Sequence, residues 1–232
     1  MKKLTILTTI FLTVIIVASC NAKNPKDKFL DDMIGAYGGV ENLKKLDTYT
    51  SKWDMDVKVR GTRGKATNFV EQVGRLRVEL VYPNSSETRV INQKKGYKSY
   101  DNAPLEEVTG PQFDSMKLQL MRLYTPLTLK AKLDNIKLSD VGNLKALTLK
   151  EGSLTTIYYV NSETFRIELV VGRLKMGPRE MEFRTEYSKF KLVEGVLMHH
   201  KENKFAAGMN TALLFLRQIK LNEEHADKLF NK

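Results

Sequence analysis

From Tyr49 to Arg60 the side chains alternate without a break, and this constrains the fold more than any other stretch. Tyr49, Ser51, Trp53, Met55, Val57 and Val59 hold one parity. Thr50, Lys52, Asp54, Asp56, Lys58 and Arg60 hold the other. A period of two is a strand with one wet face, and it excludes a helix here. The same period returns along the chain. It is read as one strand from about Ala66 to Tyr82, with Leu76, Val78, Leu80 and Tyr82 on one face and Arg75, Arg77 and Glu79 on the other. A hairpin over 87–92 and 96–100 follows. Further strands are expected over 144–150, 154–160, 164–171, 179–187, 196–206 and 211–221. In the third of these, Phe165, Ile167, Leu169 and Val171 share a face; in the fourth, Met181, Phe183, Thr185 and Tyr187 do. Sheets that are wet on one side are antiparallel.

Two segments depart from this period. Asn24 and Pro25 suit an N-cap and the first helical position. Phe29, Leu30, Met33, Ile34 and Tyr37 then fall on one helical face, and Gly38 and Gly39 end it. Val40, Leu43 and Leu46 suggest one more short turn. Phe113, Met116, Leu120, Leu123 and Tyr124 mark a second helix, stopped by Pro126. The last residues, through Asp227, Leu229 and Phe230, read as a turn and a short docking segment. The expected fold is mainly β with two helices (α+β). About ten antiparallel strands form a curled half-barrel, with the helices covering its concave face.

The first twenty residues set the destination. Lys2 and Lys3 precede an uncharged run from Leu4 to Ser19, and Val17, Ala18 and Ser19 lead to Cys20. A basic start, an apolar centre and small residues before a cut describe a secretory leader. As a helix the run spans only about 24 Å, short of the bilayer's hydrocarbon core. The Val-Ala-Ser-Cys end resembles the lipobox of bacterial lipoproteins, which implies cleavage before Cys20 and acylation of its thiol. Cys20 is the single cysteine, so no disulfide forms within one chain. Residues 1–19 are thus expected to be a lipoprotein signal peptide, 20–26 the acylated cysteine and tether, and 27–232 the folded domain. The tether from Asn21 to Lys26 reaches at most ~20 Å. The net charge of +11 favours anionic partners. Export and anchoring exclude nucleic acid in favour of a membrane face.

Catalytic signatures are lacking. The chain contains no G-x-S-x-G, P-loop, H-E-x-x-H or dinucleotide fingerprint. Adjacent strand residues point to opposite faces, so His199 and His200 do not share one metal site. These two and His225 are read as surface or strand-end residues. The acidic pairs Asp31–Asp32 and Glu106–Glu107 are explained by solvation. No enzyme activity, metal or cofactor is expected.

Three stretches resemble the LolA/LolB-like superfamily. One is the hairpin running from Tyr158, Tyr159 and Val160 through Asn161, Ser162 and Glu163 to Thr164, Phe165, Arg166 and Ile167. The second runs from Glu186 and Tyr187 to Gly195, Val196 and Leu197, with Met198 or His199 where the family often has proline. The third is Ile219 to Asn222 followed by Leu229 and Phe230. Ala36, Tyr37, Gly38 and Gly39 are similar to the helix end of lipoprotein relatives. The resemblance implies a half-barrel that carries lipoproteins or other lipids between envelope layers of bacteria. With Cys20 as anchor it implies a LolB-like or separate lipid-binding branch, and Asn21, which is not the aspartate linked to inner-membrane retention in some bacteria, favours the outer membrane facing the periplasm. The loop from Gly61 to Lys65 is polar and basic, unlike the protruding apolar loop of the LolB receptor. The candidate lining for a lipid or lipoprotein acyl chain is Trp53, Met55, Val57, Leu76, Val78, Leu80, Met116, Leu120, Ile167, Leu169, Met181 and Phe183. A packed core has the same period as a cavity wall. The alternative is therefore a filled domain that serves as a protein-interaction or sensor module for an envelope partner.

Overall fold

The computed structural model describes residues 24–177 and 179–232. The expected leader and Cys20 lie outside the described residues. The first element is the helix α1, Pro25–Ala36. The Asn24 side chain accepts a hydrogen bond from the Lys26 N–H at 3.0 Å, with Pro25 in the first turn, so the cap is the one its residue types suit. Phe29, Leu30, Met33 and Ile34 form its buried face. A short helix, α2 (Val40–Leu43), carries the expected extra turn.

The strands follow in two runs. The first is β1 (Thr48–Val57), β2 (Thr62–Glu71), β3 (Arg75–Tyr82), β4 (Ser85–Asn92), β5 (Lys95–Tyr100) and β6 (Glu106–Val108). Helices α3 (Gly110–Met121) and α4 (Pro126–Ala131) lead to the second run. It comprises β7 (Ile136–Val141), β8 (Leu144–Glu151), β9 (Leu154–Asn161), β10 (Ile167–Met176), β11 (Arg179–Val193), β12 (Val196–Ala206) and β13 (Met209–Leu221). All thirteen strands form one antiparallel sheet, ordered β6-β5-β4-β3-β2-β1-β13-β12-β11-β10-β9-β8-β7. Each strand pairs with a neighbour in sequence, except where β1 meets β13. The strands β6 and β7 are the two edges, so the sheet is open.

Helix α3 reports the shape of the sheet. A Cβ on Gly96 of β5 would lie 2.6 Å from the Phe113 ring, and one on Gly172 of β10 would lie 2.7 Å from Leu118. These strands are eight steps apart in the sheet. At ~4.8 Å per step a flat sheet would separate them by nearly 40 Å. Phe113 and Leu118 are only about 7.5 Å apart along a helix axis. The sheet is therefore curled, with α3 in its hollow.

The elements differ from expectation in number. There are thirteen strands, not about ten, and four α-helices among the described residues rather than two. The stretch expected as one strand over 66–82 is two, because Gln72, Val73 and Gly74 turn the chain, with Gly74 at φ +111°. Val59 leaves the alternation of β1. It sits 57% exposed in a 3-10 turn, Lys58–Arg60, that closes on Gly61 in the left-handed region. The short strands β6 and β7 and the helix α4 were not expected.

The C-terminal segment docks on the convex face of the sheet. Phe230 is fully buried under the Arg75 guanidinium, 4.8 Å from its ring centroid. Arg77 donates to the Leu229 carbonyl at 3.2 Å, and Arg75 pairs with Asp227 at 2.6 Å.

Candidate functional site

Cross-strand register places the inward face. In antiparallel pairs, directly opposed residues share a face. Leu76, Val78 and Leu80 of β3 oppose Ile91, Arg89 and Glu87 of β4, and Arg89 in turn opposes Lys98 of β5. Charged side chains therefore stand in the same row as apolar ones, inside the curl. From the other limb, Met55 opposes Leu214, Leu214 opposes Glu202, and Glu202 opposes Tyr187. Lys204 opposes Ala212 and Thr185 on the same face.

Between these walls and α3 lie two cavities of about 310 Å³ and about 300 Å³. Both are lined by Arg89, Ser115, Gln119 and Phe183, so they meet along one face of α3. Ser115, Gln119 and Arg122 are spaced i, i+4, i+7, a polar stripe turned into the hollow. Apolar wall in the larger cavity comes from Met55, Val57, Ala66, Leu80 and Leu214. A smaller cavity of about 70 Å³ lies where Arg122, Tyr187 and His199 meet α1 through Tyr37.

The charges on these walls are unevenly paired. Glu87 takes Arg89 at 2.7 Å and Lys98 at 2.9 Å. Burial raises its carboxyl, but those two cations outweigh burial and hold it below its usual range. Glu202 is buried between Lys204 at 2.9 Å and His199 at 3.0 Å. Burial again opposes ionisation, and again the neighbours win, bringing the carboxyl down to about 2. Arg122 has no carboxylate partner among the described residues. Its guanidinium donates to the Leu118 carbonyl at 3.3 Å and the Thr185 hydroxyl at 3.4 Å, and lies 5.5 Å from the Phe183 centroid. Burial lowers its pKa.

The C-terminal end of α3 is pinned by the opposite limb. The Tyr158 phenol donates to the Met121 carbonyl, and Tyr187 donates to the Arg122 carbonyl at 3.1 Å. Gln72 donates to the Leu123 carbonyl at 3.1 Å. These carbonyls lie at the helix end and just past it, where intrahelical partners run out. Burial raises both phenols well above their usual pKa.

Of the candidate lining, Met55, Val57, Val78, Leu80, Met116, Met181 and Phe183 stand on the walls of the two larger cavities, and Ile167 on the smallest. Leu76 and Leu120 are packed in the main core instead. Trp53 is buried beside the hollow. Its indole donates to Ser51 at 2.9 Å and stacks on His199, with centroids 5.7 Å apart. Leu169 is on the other face of the sheet, grouped with Ala146, Ile157 and Val171. The β9–β10 register shifts between Ile167 and Leu169, and this bulge reverses the parity read for the strand. His199 and His225 are not surface residues. His199 packs on Tyr187 at 4.2 Å between centroids, and His225, its side chain 2% exposed, bonds Thr50 at 3.0 Å. Sequence reasoning missed Glu87, Arg89, Arg122, Glu202 and Lys204. The usable signal for the first two was their register opposite Leu80 and Val78, which a single strand read alone does not give.

No helix among the described residues is long and apolar enough to cross a membrane. No family model matches the chain, and no curated protein does. Solved structures do. A LolA superfamily protein from Nitrosomonas europaea superposes with a TM-score of 0.56 at 12% identity, over 89% of this chain and 97% of that one. A candidate outer membrane lipoprotein-sorting protein domain from Vibrio parahaemolyticus superposes with a TM-score of 0.51 at 7% identity, over 88% of this chain and 95% of that one. At such identities the likeness is one of backbone: the chain has a LolA-like fold.

Proposed function

We propose that this chain is a lipid-anchored protein of the bacterial cell envelope that holds a lipid, or the acyl part of a lipidated segment, inside the curl of its sheet and passes it on. The observation that carries this reading is the pair of cavities meeting along α3, about 310 and about 300 Å³. Small-molecule sites fall at roughly 300–1,000 Å³. Each methylene buried against the apolar wall contributes about 0.8 kcal/mol, so an acyl chain needs few specific contacts. A filled interaction module would have Trp53, Met55 and Phe183 packed without a void; Trp53 is buried, but Met55 and Phe183 both border the larger cavity. Binding is favoured over catalysis, because on the walls of these two cavities no hydroxyl among the described residues is hydrogen-bonded to a base. The lipobox-like end at Cys20 supplies the anchor, after removal of residues 1–19, and Asn21 favours the outer membrane facing the periplasm.

Native mass spectrometry of the purified full chain, with extraction of bound lipid, tests the reading. We expect a co-purifying lipid, or uptake of added lipid by the stripped chain with one-to-one stoichiometry. A chain that emerges empty and stays empty would count against it.

A further inference from the structure

The walls that hold an acyl chain are not charge-neutral. Arg60, Arg89, Lys98, Arg122 and Lys204 border the two larger cavities, against one carboxylate, Glu87. Glu87 is shared by Arg89 and Lys98, which leaves one positive charge over. Lys204 is offset by Glu202. Arg60 lies over the Tyr82 ring at 4.8 Å. Arg122 is compensated only by the field of Glu202, a carboxylate already paired with Lys204 and His199. It has two long hydrogen bonds, an aromatic face and no ion pair among the described residues. Removing a guanidinium from water without an anion costs several kcal/mol. Arg122 is half-buried on the cavity wall, so an entering anion would offset the part of that cost that water and Glu202 leave.

We propose that the occupant is an anionic amphiphile, with its carboxylate or phosphate head at Arg122 and Arg89 and its chain along Met55, Val57, Leu80 and Leu214. The inference rests on the lipid-binding reading and narrows it to one class of head group. Arg122 offers a planar guanidinium held by only two long bonds, suited to contact with either anion, while Arg89, whose fork is taken by Glu87, adds its charge beside it. Ser115 and Gln119 stand on the same face of α3 as further donors, and Gln119 already accepts from Arg89 at 3.3 Å. A neutral or cationic head would leave the excess positive charge unanswered.

Four amphiphiles with one chain length separate the possibilities: hexadecanoate, hexadecyl phosphate, hexadecanol and hexadecyltrimethylammonium. Each is titrated, below its micelle concentration, against the stripped full chain carrying a neutral fluorescent probe. The two anions should displace the probe at concentrations about tenfold or more below the alcohol, with the cation weakest. The order of carboxylate and phosphate then says whether the head is that of a fatty acid or a phosphate ester. In Arg122→Gln the anion-to-alcohol ratio should fall below about threefold, while Arg122→Lys should keep most of it. Equal affinity for anion and alcohol in the wild-type chain would overturn the proposal, as would a ratio untouched by Arg122→Gln. The wild-type comparison needs no variant to fold. If none of the four binds, the lipid-binding reading fails and takes this inference with it; if the alcohol binds as well as the anions, only this inference fails.

Discussion

Glu202 is 4% exposed, yet its fold favours the charged form. Burial pulls its carboxyl up from the usual value, and Lys204 and His199 together bring it to about 2. A folded pKa below the unfolded one stabilises the protein above the unfolded value of roughly 4.3 and loses that contribution as pH falls towards the folded one. The amount is on the order of 3 kcal/mol for this shift. Urea midpoints measured from pH 6 to pH 2 should therefore fall steeply for the wild type and less steeply for Glu202→Gln, which starts lower at neutral pH. At this scale the sequence is an incomplete guide. Parity along β1 correctly marks Met55 and Val57 as inward. The single extra residue at Glu168 is invisible to parity and turns Leu169 to the opposite face. The inward charges Glu87 and Arg89 become readable only once β4 is set in register against β3.

Helix α3 is the element that organises the hollow, and two glycines seat it. Phe113 occupies the space of a side chain at Gly96, and Leu118 the space of one at Gly172. Gly172→Ala should destabilise the protein by about 1–3 kcal/mol through overpacking. Leu118→Ala alone should cost about 2–5 kcal/mol. The two together should cost clearly less than their sum, since each removes the other's clash or void, and a double-mutant cycle in urea measures the difference. Additive costs would mean that Leu118 does not rest on Gly172. The elements themselves were largely readable. Helix α1 carries its own cap, turn and apolar face, and β8, β9, β12 and β13 begin and end within a few residues of expectation. The reading of α3 from Phe113, Met116 and Leu120 found the helix but not its polar stripe. A helix enclosed on several sides buries more than one face, and the moment of its apolar residues points to only one of them. The edges were hardest, because β6 has three residues and two of them are Glu106 and Glu107.

The whole molecule combines a net charge of +11 with a hollow bordered by five cationic side chains. A Cys20→Ala chain should fractionate away from membranes and fail to take up a labelled fatty-acid analogue, while its circular dichroism stays that of the wild type. Label retained by Cys20→Ala would refute acylation at that residue. The overall class, mainly β with helices in a curl, was readable from alternation alone. The cavity was not, since apolar wall and packed core follow the same period.

The strand order carries a kinetic consequence. All ladders but one join strands adjacent in sequence, and such meanders form from local contacts. The exception, β1 against β13, pairs Tyr49 with Leu221 and Met55 with Leu214 across nearly the whole chain. Until the last strand has been made, β1 is therefore an unpaired edge bearing Trp53, Met55 and Val57. During synthesis it is the nascent chain's main hazard for wrong pairing. Closure of that single ladder joins the two halves of the sheet into one curl, so the hollow comes into being only when β13 has joined β1.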